Sequence, residues 1–342
     1  MDPSPVVLLT GASGLVGRGL LRRLRGPVLA VTHRTPVTGP GVTPVRGDVT
    51  RPRFGLDAAA WRALARRVDV VVHAAAVTGF TGGGEELTRT NVDGTRHALE
   101  LAAAADAPLC HVSTAFVHAR TDTARGRAAV RYAASKRAGD ELVRTSGLPH
   151  TVVRPSVVIG DAGTGEATAF QGVHHVAEAI VRGQVPIIPF DPDWWLDTVP
   201  RDVVADGIAT LVEQGHVGGE VWLTSGSRAL TLRAAVDTLV QTAARLGRPV
   251  PPPRFVPPEL FDRLIAPVFL DALPQEMART VTRLLDVFSA YLSAGEPMPS
   301  SLPELAARGA RPLPDPRTAL ATSLAYWLRT TGLAGGDAEE AA

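Results

Sequence analysis

A single cysteine, three tyrosines and three methionines are scattered through 342 residues, and aromatic side chains make up only 5% of the chain. Cys110 alone cannot form an internal disulfide, and with no second thiol nearby it cannot anchor a structural zinc. It sits in the apolar run PLCHVSTAFV and reads as a buried strand residue. Charge of one sign is also missing. The 35 basic and 34 acidic residues leave a formal charge of +1, which excludes a global field that would attract nucleic acid or an anionic membrane. No uninterrupted apolar run approaches the roughly 18 residues of a bilayer-spanning helix. The opening Met-Asp-Pro-Ser-Pro lacks the basic and apolar regions of a secretion signal. The expected setting is therefore the cytoplasm, as a monomer or homodimer, with a small-molecule or carrier-bound ligand. His174 and His175 have no third partner at ligand spacing, so no metal site is expected.

The first half alternates short β-branched runs with helical segments: VVLLT at 6–10, LVGRGLLRRLR at 15–25, VLAVTH at 28–33, VDVVVHAAA at 68–76 and LCHVSTAFV at 109–117. This alternation predicts an α/β fold with a doubly wound parallel sheet covered on both faces. NVDGTRHALELAAAA at 91–105 predicts a further helix, closed by Pro108. The pattern changes after TVVRPSVVIG at 151–160. After it come a glycine-containing loop, the helix-like FQGVHHVAEAIVRG and the proline-rich IIPFDPDWW. The boundaries expected are a nucleotide-binding domain over 1–159, completed by about 198–228. A smaller, mainly helical substrate lobe and cap would occupy 160–197 and 229–330, ahead of a flexible tail at 331–342. Proline clusters at 251–253 and 257–258 suit the cap.

TGASGLVG places Gly11, Gly14 and Gly17, with Ser13, Leu15 and Val16, between the first strand and the first helix. That order suits a dinucleotide: positions without a Cβ permit a tight turn and let backbone amides approach a pyrophosphate at the helix N-terminus. At the end of the second strand an acidic residue would hold the ribose hydroxyls of NAD, but the chain has Thr32, His33 and Arg34 there. Arginine can pair with a 2′-phosphate, so NADP(H) is favoured over NAD(H), with Arg18 as a second contact.

Tyr132-Ala-Ala-Ser-Lys136 falls in a helical segment, so the tyrosine and lysine share one face. An adjacent ammonium and a nicotinamide cation would stabilise the phenolate; bringing a phenol from about 10 to about 7 requires roughly 4 kcal/mol. Thr114, at the end of a strand, can donate a hydrogen bond to the same carbonyl oxygen.

With these residues in hand, the chain resembles the extended short-chain dehydrogenase/reductases. TGASGLVG, Asp48, HAAA at 73–76, NVDGT, Thr114, YAASK and RPSVVIG occur in that family's order. The resemblance implies a Rossmann-type domain and a catalytic set of Thr114, Tyr132, Lys136 and Asn91, the last supporting the lysine through the helix and a water. It also implies that Asp48 and Val49 lie near the adenine. Ala74, Ala75 and Ala76 would line the cofactor, and Pro155 and Val158 would flank the nicotinamide. A closer similarity is to the branch of fatty acyl-CoA reductases and thioester reductases, carried by RGDVTRPRFGLDAAAW, NVDGTRHALELA, VRPSVVIGDAGTGE and DTVPRDVVADGI. The chain departs from many of those enzymes in its short connection between Thr114 and Tyr132. No adenylation region or carrier-protein serine motif occurs in it, so an acyl or polyketide thioester would arrive on a carrier protein in trans. Phe80, Phe116, Phe170, Trp194 and Trp195 would wall a substrate pocket.

The reaction expected is reduction of an acyl thioester, aldehyde or ketone by a stand-alone tailoring enzyme of secondary metabolism. The alternatives are a sugar-nucleotide epimerase or dehydratase and a non-catalytic nucleotide sensor. Dehydratases of this fold carry Asp-Glu after the threonine, where this chain has Ala115-Phe116.

Overall fold

A computed structural model describes residues 4–78, 84–118, 127–170, 172–261, 263, 266, 292–293 and 295–335. The sheet begins with β1 (Val7–Thr10), α1 (Leu15–Arg23), β2 (Val28–Thr32) and β3 (Val42–Arg46). α2 (Ala58–Ala65), β4 (Val70–His73), α3 (Gly94–Ala105), β5 (Leu109–Val112) and α4 (Arg127–Thr145) follow. After β6 (His150–Pro155) come β7 (Val157–Ile159), α5 (Gly172–Val181), β8 (Thr198–Pro200), α6 (Arg201–Glu213) and β9 (Glu220–Leu223). Two long helices belong to the last third, α7 (Leu232–Arg245) and α8 (Pro316–Thr330).

Seven strands form one parallel sheet in the order β9-β6-β5-β4-β1-β2-β3. β1, β4 and β5 are buried along their whole length, as expected of strands covered on both faces. Leu9, Val72, Val153 and α6 residues such as Ile208 make one core, and Leu8, Val71 and Val152 make another with Trp61, Leu101 and Val143. Leu20, Leu21 and Leu24 of the α1 segment join the first core. The strand order reverses between β1 and β4, which opens a crevice at their carboxyl ends, where ligands bind in sheets of this kind.

A third apolar core gathers α5, α7 and α8, with Phe190, Leu196, Leu320 and Trp327 among its buried members. It meets the sheet through Phe116, Val157 and Ile159. The loop 160–166 fastens the two sides. Glu166 accepts both terminal nitrogens of Arg22 on α1 at 3.0 Å, and Gly160 N donates to Ser323 Oγ on α8 at 3.0 Å.

Within TVVRPSVVIG the pairing changes: β6 pairs with β5 and β9, whereas β7 leaves the sheet to pair with β8. Two expectations need correction. The 91–105 helix is entered through a wide π-turn at Thr88–Asp93, and its end is set by Asp106 in a left-handed conformation. The tail does not come free at 331. Leu333 is buried in the third core and Gly335 N donates to Leu246 O at 2.9 Å.

Candidate active site

A crevice of about 270 Å³ opens at the carboxyl ends of β1, β4 and β5. Gly11, Gly14, Leu15, Val16 and Gly17 form one wall, Ala74 and Ala76 another, and Pro155 and Val158 a third. Thr114, Tyr132 and Lys136 line the same space, so residues far apart in the sequence converge through the sheet order.

The glycine turn is dictated sterically. Gly11 has φ +70°, and a Cβ there would meet the Ala74 carbonyl oxygen at 2.5 Å. A Cβ at Gly17 would overlap the Gly11 carbonyl. Gly14 caps α1 with no side-chain hydrogen bond, and the first turn holds no acidic residue. Uncapped amides and the positive end of the helix dipole thus face the crevice, an arrangement into which a dinucleotide pyrophosphate fits.

Tyr132 and Lys136 project from one face of α4. Tyr132 shares a hydrogen bond with Thr114, yet burial pushes its phenol up to about 12. Burial thus favours the protonated phenol in the protein without a bound nicotinamide. Lys136 is the only lysine of the chain. It is 2% exposed, and its Nζ donates to Val112 O at 2.9 Å. Burial pushes its pKa down to about 8, with Asp140 opposing that shift and Arg154 reinforcing it.

Asn91 bonds both to the Val77 backbone and to α4. Its Oδ1 accepts from Val77 N at 2.8 Å, while Nδ2 donates to Val77 O at 3.1 Å and to Ser135 Oγ at 2.9 Å. Ser135 Oγ in turn donates to Tyr132 O at 2.7 Å, so Asn91 reaches α4 through Ser135. Beneath the crevice, His73 Nδ1 pairs with Thr10 Oγ1 at 2.8 Å, and its ring stacks on His111 at 5.6 Å. Burial lowers the pKa of both histidines, that of His111 to about 4.

Other expected contacts fall outside the crevice lining. Ser13 is exposed and its carbonyl accepts Arg18 Nε at 3.2 Å. Arg18 also lines a separate groove of about 810 Å³ with Arg22 and Arg25. Arg34 is exposed just after β2. Asp48 accepts Thr50 N and Oγ1 at 2.9 and 2.8 Å; those bonds hold its pKa low although burial opposes them. Val49 O pairs with His97 Nδ1 at 2.8 Å, and Ala75 N donates to Thr10 Oγ1 at 3.3 Å.

Of the aromatic residues expected around substrate, Phe116 lines the crevice. Phe170 packs against His174 with ring centroids 5.1 Å apart, Trp194 packs on Phe190 at 6.0 Å, and Trp195 Nε1 donates to Gly295 O at 2.9 Å. These three do not line the crevice among the described residues, because the chain at 187–196 folds back onto α7 and Phe170 packs on the helical core. Phe80 lies outside the described residues. Sequence reasoning missed Thr78, Ser113, Ser156 and Ala169, which line the crevice, and the buried Asp140, which a four-residue step from Lys136 would have indicated. No cluster able to hold a metal and no helix long and apolar enough to cross a membrane occurs among the described residues.

The family model described as male sterility protein, an NAD-binding family, matches residues 31–208. A linear gramicidin synthase of Brevibacillus parabrevis is 30% identical over 260 residues, covering 63% of this chain and 5% of that protein. Ceramide reductase of Caulobacter vibrioides is 36% identical over 179 residues, covering 50% of this chain and 51% of that one. The chain thus spans about half of one curated relative and a small fraction of the other. Among solved structures, the terminal R domain from the myxalamid PKS-NRPS biosynthetic pathway superposes with a TM-score of 0.76 at 24% identity, over 97% of this chain and 92% of that chain. That likeness shows the fold.

Proposed function

The chain belongs to the male sterility protein family of NAD-binding domains, and on that premise we propose that it is an NADPH-dependent reductase of a carbonyl substrate, an acyl thioester or aldehyde delivered on a carrier protein. The convergence of Thr114, Tyr132 and Lys136 on the crevice beside the glycine turn carries this reading. The relatives drawn from synthetases favour a carrier-bound acyl chain over a free ketone. NADPH is preferred to NADH because Arg34 follows β2 where an acidic residue would hold the NAD ribose. Residues 160–197 and 229–330 are assigned to binding the acyl chain, with Phe116 at the junction.

The glycine turn and α1 would hold the pyrophosphate, and Pro155 and Val158 the nicotinamide, which when reduced supplies hydride. The protein's own part is acid catalysis. Tyr132, a protonated phenol, gives its proton to the carbonyl oxygen, while Thr114 donates a hydrogen bond to the same oxygen. The Lys136 ammonium, held by Val112 O, stabilises the phenolate that remains. One hydride and one proton convert a thioester to an aldehyde and a free thiol; a second pair converts the aldehyde to an alcohol.

Assay of cofactor oxidation with acyl thioesters, aldehydes and aromatic ketones tests the reading. Oxidation of NADPH with a thioester or aldehyde is expected. Conversion of a sugar nucleotide with no net cofactor oxidation would overturn it in favour of an epimerase.

A further inference from the structure

Arg154 and Arg201 are the largest fully buried side chains among the described residues, although both carry a charge, and Arg154 lies beside the crevice. Its Nη1 lies 2.8 Å from Asp140 Oδ2 and also reaches Thr114 O at 3.4 Å and Ser113 Oγ at 3.5 Å. Its other two nitrogens take both carboxylate oxygens of Glu220 on β9, and the guanidinium packs over the Trp222 ring at 5.7 Å. Asp140 is 1% exposed and faces His111 Nε2 at 3.3 Å. Taking such charges out of water is costly, and apolar residues of equal volume commonly serve stability as well or better. Four buried or half-buried ionisable groups linked across β5, α4, β6 and β9 therefore call for a role that packing does not supply.

The placement of the linkage indicates that role. Thr114 lies just past the end of β5, whereas Tyr132 and Lys136 lie on α4; the two halves of the catalytic set belong to different elements. Arg154 touches the first half at the Thr114 carbonyl and the second through Asp140, one helical turn beyond Lys136. Among the described residues, the charged and titratable groups around Lys136 are Tyr132 and Asp140 on its own helix, His111 on β5, His73 on β4 and Arg154 on β6, with Glu220 beyond Arg154. Both histidines are held neutral by burial near pH 7, so the nearby charges are those of Asp140 and Arg154.

We propose that Arg154 and Asp140 are positioning residues of this centre: Arg154 rivets the Thr114 end of β5 to α4 through Asp140, and the pair sets the charge facing Lys136. The inference rests on the reductase reading only for its kinetic consequence. Its electrostatic part can be measured without turnover, since selective ¹³C labelling of lysine gives one side-chain signal in a chain with a single lysine.

Asp140→Asn keeps the side chain's shape and leaves Arg154 paired with Glu220. The Lys136 titration midpoint should fall by about one pH unit, because the carboxylate that favours the ammonium is gone while Arg154 remains. The double variant Asp140→Asn/Arg154→Gln removes both charges together, and its midpoint should return part of the way toward that of the wild type. It should also lose about tenfold in kcat with the KM for cofactor unchanged, since Thr114 is no longer clamped. A Lys136 midpoint that stays in place in Asp140→Asn overturns the electrostatic role, and an unchanged kcat in the double variant overturns the rivet. If Asp140→Asn does not fold, the double variant's midpoint decides, and one equal to or above the wild-type value overturns the proposal. Failure of the wild-type enzyme to oxidise cofactor would count against the reductase reading alone, leaving the titration to decide the electrostatic part.

Discussion

Lys136 Nζ donates to the carbonyl oxygen of Val112 at 2.9 Å. The bond ties α4 to the last residue of β5, two positions before Thr114, and it holds the ammonium where water cannot solvate it. Burial consequently depresses the pKa from 10.5 to about 8.

That depression predicts a conflict between stability and activity. A lysine with a folded pKa below its unfolded one binds fewer protons in the native state, so wild-type stability rises as pH climbs from about 8 to about 10.5 and carries the full penalty below 8. Lys136→Met should therefore be more stable than wild type at pH 7 by about 2 kcal/mol, after allowing for the lost hydrogen bond. The advantage should vanish above pH 10.5, and turnover should fall by about 10² or more. Denaturant titrations across that range check it; a Met variant less stable at pH 7 would contradict it.

Gly11→Ala should be damaging in two ways. The residue adopts φ +70°, and the new methyl group would press on the Ala74 carbonyl that lines the crevice. A loss of about 3 kcal/mol in unfolding free energy is expected, together with loss of dinucleotide binding by calorimetry. A variant within about 0.5 kcal/mol of wild type would show that the turn tolerates a side chain.

Cofactor preference should turn on Arg34. Arg34→Glu replaces a guanidinium able to meet a 2′-phosphate with a carboxylate that repels it, so NADPH affinity should drop about tenfold or more while NADH affinity rises. Calorimetry with both dinucleotides reads this directly. A wild-type protein that already binds NADH more tightly would contradict the assignment.

The features legible in the sequence are those fixed by local spacing. Largely apolar tetrads such as Val7–Thr10 and Val70–His73 announce buried parallel strands, and the four-residue step from Tyr132 to Lys136 puts both on one face of α4. What was not legible depends on which strands become neighbours. Arg154, Asp140, His111 and Glu220 meet only because β9, β6 and β5 are adjacent, and no spacing in the chain encodes that order. The break between β6 and β7 was hidden for a related reason: an apolar run does not reveal where its hydrogen-bonding partner changes. Trp194 and Trp195 looked like pocket walls because the sequence cannot distinguish an aromatic facing a ligand from one covering a helix core.

The central claim, that Tyr132 protonates a carbonyl oxygen as hydride arrives at its carbon, is tested most directly by supplying NADPH deuterated at the transferring position together with a carrier-bound acyl thioester. The aldehyde should carry one deuterium on the former thioester carbon, and Tyr132→Phe should form it at least about a hundredfold more slowly while binding NADPH almost normally. Unlabelled product, or full activity in Tyr132→Phe, would contradict the account.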